Sequence, residues 1–217
     1  VLEGSNHGFI DLYKYIKSHD LSVEENYKWV CNQLDISSFI DYFLIQLFII
    51  NTDWPQNNVK YWKHPSTKWQ YIFMDADNST DFNALTQHYD INSYNRIIEN
   101  TSQCHAIIFT QLLQNEEFKT RFISRSADMM NTIFRPTYSL SFIDNIKDSL
   151  IDEMEFHKNR WGGSVNSWVS DKIYKLKKFF QYRPMYFRNH TIEVFDLNTF
   201  YQLTLETLDG YGSHIRV

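Results

Sequence analysis

The run Ile-Ser-Ser-Phe-Ile-Asp-Tyr-Phe-Leu-Ile-Gln-Leu-Phe-Ile-Ile, residues 36–50, most constrains what this chain can become. Ile36, Phe39, Ile40, Phe43, Leu44, Leu47 and Phe48 recur at spacings of three and four, which is one face of an α-helix. Ile49 and Ile50 carry the apolar surface further round the cylinder. A helix apolar over so much of its circumference belongs at the centre of a domain. Asp35 is placed to cap its first turn with a carboxylate. The run is shorter than the roughly 18 residues of a membrane span, and Asp41 and Gln46 interrupt it. The fold is therefore expected to form around this helix, with the segment after its C-terminus held against the core.

That segment is polar: Asn51-Thr-Asp-Trp-Pro-Gln-Asn-Asn58, in which Pro55 forbids helix. Two runs rich in aromatic and β-branched residues come next, about Val59–Lys63 and Trp69–Met74. The polar turn residues Lys63-His-Pro-Ser-Thr-Lys68 join them, which is a hairpin signal. The second run delivers Asp75-Ala-Asp77. Asp53 and Asn58 form D-x-x-x-x-N, the spacing of the kinase catalytic loop, where the Asp handles the substrate hydroxyl proton and the Asn holds a metal.

Phosphoryl transfer needs positioning and charge neutralisation more than covalent chemistry. Asp53 can serve as the carboxylate beside the attacking hydroxyl. Asn58, with Asp75 or Asp77, can supply oxygen ligands to magnesium or manganese. If the extended conformation continues past Met74, Asp75 and Asp77 share one face. Asp81 is a weaker third carboxylate. The plainer account is that Asx residues crowd turns because they cap backbone, and D-x-x-x-x-N recurs by chance. A third account pairs Asp53 with Asp75 for glycoside hydrolysis, but it leaves Asn58 and the Asp-x-Asp without a role. Trp54 either lines a groove beside Asp53 or packs beneath the loop.

The remaining elements read mainly as helix. Phe9–Ile16 has Phe9, Leu12, Tyr13 and Ile16 on one face. Ser22-Val-Glu-Glu25 reads as a capping box opening a helix to about Leu34, with Cys31 inside it. Residues 78–92 are polar and irregular. Helical patterns resume at about His105–Leu113, Glu116–Ile133, Leu140–His157 and Ser167–Phe180, with Trp161-Gly-Gly163 as a break. From Thr191 the pattern alternates in the strand sense, again over Phe200–Leu205, and Asp209–Gly212 is turn chemistry. These divide the chain into a body, 1–190, and a strand-rich tail, 191–217, that begins a further module. The histidines follow no ligand spacing: His64 reads as a solvated turn residue, and His88, His105 and His157 as surface or satisfied helix residues. Arg160-Trp161 reads as a structural anchor, and Lys175, Lys177 and Lys178 as a wet helix face.

A formal charge of −5 over 217 residues argues against a nucleic-acid partner, since phosphate contact needs clustered Lys and Arg. Cys31 and Cys104 read as free thiols, and no zinc motif is present. The chain starts without Met or a signal peptide, which reads as a processed or excised piece. Between Gly8 and Gly162 there is no glycine, so no glycine-rich phosphate loop lies near the site residues.

These residues resemble the CotH kinase family, atypical protein kinases named for a bacterial spore-coat protein. The matching features are Asn51-x-Asp53-Trp54-x-x-x-Asn58-x-Lys60-x-Trp62 and Lys68-Trp69-x-x-x-x-x-Asp75-x-Asp77. Glu117-Phe118, His157, Arg160-Trp161-Gly162, Arg183-Pro184 and Phe195-x-Leu197 look like the versions found in Bacteroidetes. The resemblance implies a mainly α protein-kinase-like C-terminal lobe with a small β-hairpin, entered through a hinge at Val1–Leu12. It implies ATP with Mg²⁺ or Mn²⁺, a Ser or Thr of a protein as acceptor, and a secreted or cell-surface setting. Asp53 becomes the catalytic Asp, Asn58 and Asp75 the ligands of the metal–nucleotide complex, and Asp77 a supporting ligand. No N-lobe, strand-borne Lys or glycine loop is present, so the piece is expected to be inactive alone, or to be a pseudokinase that presents a binding surface.

Overall fold

A computed structural model describes residues 4–199. Helices and a hairpin surround the apolar segment, which forms α3, Ile36–Phe48. Asp35 caps it as expected, accepting from the Ser38 amide at 3.0 Å. Nine of its thirteen residues are buried, Gln46 among them. Each large apolar side chain so buried contributes about 1.5–3 kcal/mol, so this helix holds the body together.

In front of it come α1 (His7–Ser18) and α2 (Glu24–Gln33). Phe9, Leu12 and Ile16 of α1 are buried as the periodicity predicts. The capping box at Ser22 does not form. The Ser22 amide and hydroxyl both turn to the Asp20 carboxylate, at 2.9 and 2.7 Å, so α2 begins at Glu24 without a side-chain cap. Cys31 and Cys104 are free thiols.

The hairpin pairs β1 (Lys60–Trp62) with β2 (Gln70–Ile72), Tyr61 opposite Tyr71. Its base is tied to the α2–α3 junction: the Trp69 amide donates to the Gln33 carbonyl at 2.8 Å, and the Asp35 amide to the Trp69 carbonyl at 2.9 Å. Phe9 stacks on Tyr61, ring centroids 3.7 Å apart, and meets Trp69 edge-on.

Beyond the hairpin lie α4 (Ser93–Ile98), α5 (Cys104–Leu112), α6 (Glu116–Asn131) and α7 (Pro136–Trp161). The chain then turns through α8 (Val165–Ser167) and a π-helical turn (Trp168–Ile173) into α9 (Tyr174–Val194). The six-residue α4 was not visible in the sequence. Pro136 starts α7 rather than merely ending α6, because at the first helical position its missing N–H costs nothing. Gly162 and Gly163, at φ of 88° and 89°, make the left-handed reversal after α7 that other residues adopt poorly. Trp161 is 70% exposed with the Arg160 guanidinium over its ring, so this pair is a surface feature and not an anchor.

The predicted strand at Thr191 is corrected to helix, since α9 runs through Val194. Thr191 is buried on it, its hydroxyl donating to the Phe187 carbonyl at 2.8 Å and meeting the Tyr94 hydroxyl. The segments 200–205 and 209–212 lie outside the described residues. No helix among the described residues is long and apolar enough to cross a membrane.

Candidate functional site

The site starts at the end of α3. The Asn51 amide donates to the Gln46 carbonyl and the Ile50 amide to the Leu47 carbonyl, which is the Schellman termination. That motif needs a left-handed residue at position 50, normally Gly, and here Ile50 takes it at φ 54°. The left-handed penalty is about 1–2 kcal/mol. Burial of the Ile50 side chain, 2% exposed, contributes a similar or larger amount, about 1.5–3 kcal/mol. The helix therefore stops abruptly and sends Asn51 inward, with no exposed surface.

Asn51 governs the next turn. Its side-chain oxygen accepts from the Asp53 amide at 3.1 Å. Its side-chain nitrogen donates to Gln46 Oε1 at 3.0 Å and reaches the Asp75 carbonyl at 3.4 Å. The half-buried guanidinium of Arg96, on α4, donates to the Asn51 carbonyl, and desolvation lowers its pKa. Trp54 is fully buried under the loop, edge-on to Phe43 at 4.8 Å, so it packs and does not line a groove. The Trp54–Pro55 peptide is cis. Tyr42 Oη, Gln46 Nε2 and Trp54 Nε1 are buried together beneath the loop, Gln46 and Trp54 both acting on the Tyr42 hydroxyl, although none of the three makes a well-formed hydrogen bond.

Asp53 and Asn58 sit at the two ends of this turn, both half-buried. Asn58 adopts φ 56°, a left-handed conformation that Asn tolerates well. The hairpin ladder ends at Ile72, and Asp75 lies beyond it at φ 53°. The extended conformation expected past Met74 therefore stops at Asp75, which is not fixed by a strand edge. The Asn51 contact to its carbonyl stands nearest in that role.

Asp75 and Asp77 are exposed, and their carboxyls meet despite the left-handed kink. Asp77, as hydrogen-bonding neighbour, is the largest influence raising the Asp75 pKa. A little desolvation and the charges of Asp77 and Asp53 add to it, and Lys60 opposes it. The loop and the post-hairpin segment thus bring Asp53, Asp75 and Asp77 into one field of like charge, which Lys60 offsets at Asp75. Asp81 does not join this group. Its Oδ1 is buried without a partner among the described residues, and its charge acts on Lys175 of α9.

The donor chemistry is that of a hard divalent cation: carboxylate and amide oxygens with no thiol or imidazole among them. Among the described residues no three His, Cys, Asp or Glu side chains converge closely enough to chelate an ion, so the carboxylates are neighbours without being a finished cage. His64 is exposed in the hairpin turn, bonded to Ser66. His88 pairs with Asp90, and His105 is buried with the Tyr71 hydroxyl at 2.8 Å.

Sequence reasoning gave no role to Gln46, Arg96 or Gln87. Gln87 is fully buried and clasps Asn78, its Nε2 at 3.0 Å from the Asn78 Oδ1 and 3.1 Å from the Thr52 hydroxyl. The Thr52 amide also donates to the Asn78 carbonyl at 3.2 Å, so the loop and the Asp-x-Asp segment are stitched together on both sides. One signal for Gln46 was available: a lone polar residue in a helix otherwise buried.

A family model described as CotH kinase protein matches residues 2–187. No curated protein and no solved structure matches the chain.

Proposed function

Because the chain belongs to the CotH kinase family, we propose that it is the C-terminal lobe of a protein kinase that transfers the γ-phosphate of ATP to a Ser or Thr of another protein. What supports this reading is the family match over residues 2–187, together with the approach of Asp77 to Asp75 and the reach of the Asp53 charge to the same carboxyl from a separate segment. Like charges collected at the surface cost stability unless a cation is meant to join them.

In this reading Asp53 orients the acceptor hydroxyl and takes its proton. Asp75, with Asp77 in support, and Asn58 hold Mg²⁺ or Mn²⁺, which supplies neutralisation of the phosphate charge. Left-handed backbone at Asn58 and Asp75 aims both side chains away from the chain's ordinary direction, a placement Asn and Asp accept cheaply. The glycine-rich cover of the nucleotide comes from an N-terminal lobe, and the setting is the cell surface or its exterior.

The test is radiolabel transfer from ATP to a protein acceptor by the longer protein that carries such a lobe. Asp53→Asn and Asp75→Ala should each abolish transfer. Retained transfer in both variants overturns the reading.

A second reading, a pseudokinase that presents a binding surface, is favoured by the lack of a three-carboxylate cage among the described residues. Calorimetric titration with ATP and Mn²⁺ separates the two: heat supports the kinase, and silence supports the binding module.

A further inference from the structure

We infer that Asn51 is a positioning residue of this site, a side chain bonded to the backbone of both Asp53 and Asp75 that sets them in register with each other. The inference deepens the phosphoryl-transfer reading and rests on it for its functional meaning, although its structural content stands alone.

The orientation of the Asn51 amide is dictated by its surroundings. The Asp53 backbone N–H can only donate, so it must face the side-chain oxygen. The Asp75 carbonyl can only accept, so it must face the side-chain nitrogen. Gln46 is then obliged to present its oxygen to Asn51, which turns its own nitrogen toward the Tyr42 hydroxyl. The Gln46–Asn51 arrangement thus agrees with the orientation that the two backbone contacts impose on the Asn51 amide.

Asn51 is also fixed from behind. Its amide closes the α3 terminus on the Gln46 carbonyl, and its carbonyl is held by Arg96. The most buried helix of the fold thereby transmits its position to the backbone of both carboxylates. Residues that orient metal-binding groups in this way commonly govern affinity by about 10–100-fold.

The discriminating variant is Asn51→Asp. It is isosteric and keeps the oxygen that accepts from the Asp53 amide. Gln46 can turn its amide and donate to the new oxygen, presenting its own oxygen to the Tyr42 hydroxyl, which can donate as well as accept. Arg96 lies beside it to offset the charge. Only the link to the Asp75 carbonyl is replaced, by an oxygen–oxygen repulsion.

Hydrogen–deuterium exchange on the 217-residue chain provides the first readout. Peptides covering 73–78 should exchange at least about tenfold faster in Asn51→Asp, while those covering α3 and the hairpin keep parental rates. Unchanged exchange at 73–78 overturns the inference, and so does uniform acceleration along the chain, which marks a structural role only. Asn51→Gln, whose longer arm displaces both contacts, should accelerate 51–58 as well as 73–78, and acceleration of neither overturns the inference too.

The second readout is Mn²⁺ uptake followed by the spin-resonance signal of the free ion. Asn51→Asp should weaken uptake about tenfold or more, with Asp75→Ala as the abolished control. Parental uptake in Asn51→Asp alongside loss in Asp75→Ala overturns the positioning role and leaves the metal site standing. Accelerated exchange in a chain whose Mn²⁺ uptake is indifferent to Asp75→Ala supports the positioning and overturns the phosphoryl-transfer reading.

Discussion

The Arg183 Nε donates to the carbonyl oxygen of Phe48 at 2.8 Å, across 135 residues of sequence. The rest of the guanidinium is spent in the same way, on the carbonyls of Leu47, Tyr89 and Ile91 and the hydroxyl of Ser93. These partners are neutral oxygens, not a carboxylate. A cation at a helix C-terminus is favoured by the helix dipole, and this one covers the last carbonyls of α3 while gripping the segment that leads into α4. Burial lowers its pKa to about 9, which still leaves it charged at neutral pH. Arg183→Met should therefore destabilise the chain by about 3–5 kcal/mol, because several buried carbonyls lose their donors at once. Arg183→Lys should recover only part of this, since an ammonium cannot span the fork. Denaturant unfolding of the two variants measures both.

His105 sets an acid limit on the fold. It is 9% exposed, and burial lowers its pKa to about 4 from the ordinary 6.5. The unfolded chain takes up a proton below about 6.5 that the folded chain refuses until about 4. Its contribution is thus fully present above that window and is lost as pH falls through it. At about 1.4 kcal/mol per pH decade this amounts to on the order of 3 kcal/mol. His105→Gln should be less stable at neutral pH yet lose less stability on acidification. Urea midpoints at neutral and mildly acid pH test this, with His190, also lowered to about 4, left to account for the remaining slope.

Asp75 behaves in the opposite sense. Its raised pKa, from the neighbouring Asp77 first and then Asp53, means the folded chain holds this proton more tightly than the unfolded one. The stabilisation is present in acid and disappears as pH rises through the folded value, leaving repulsion at neutral pH. Asp77→Asn should raise the melting temperature at neutral pH and leave it unchanged in strong acid. Mn²⁺ should raise the melting temperature of the parent chain more than that of Asp77→Asn. A neutral-pH melting temperature that Asp77→Asn fails to raise counts against the shared field.

Trp54 offers a test of what holds the loop down. Its indole is fully buried against Tyr42 and Phe43, but its nitrogen makes no well-formed hydrogen bond. Trp54→Ala should cost about 3–5 kcal/mol through the cavity it leaves. Trp54→Phe keeps most of the ring packing and gives up only the weak contact of the indole nitrogen with the Tyr42 hydroxyl, so it should cost less than half as much. Equal losses in chemical denaturation contradict a packing role.

The central helix, its Asp35 cap and the hairpin were legible because periodicity and turn chemistry are local signals. The same locality explains the errors. Ser22 looked like a cap, but Asp20 lies two residues away and competes for the same hydroxyl. Thr191-Ile-Glu-Val-Phe alternates like a strand, yet the packing of Phe187, Thr191 and Phe195 around Tyr94 keeps 191–194 helical. At the site, residue types and spacing pointed to Asp53, Asn58, Asp75 and Asp77; in the structure Asp77 and the charge of Asp53 act on Asp75, while no three carboxylates converge among the described residues. It could not be read from the sequence that Asp75 would turn left-handed, or that Asn51, Gln46 and Gln87 would hold the two segments together, because those contacts join residues up to 35 apart.

The Gln87 clasp has one more consequence. The Asn78 and Gln87 side chains close a ring of chain at its neck, and the Thr80 amide is tied to the Ile49 carbonyl just inside it. The stretch 82–86 is tied to the same clasp at Asn83, whose amide donates to the Gln87 side-chain oxygen and whose carbonyl accepts from the Gln87 amide, while Phe82 and Leu85 project outward, 76% and 88% exposed. The outward positions of this tip can therefore change in chemistry while Asn83 and Gln87 keep its neck closed and the acidic residues behind it keep their places.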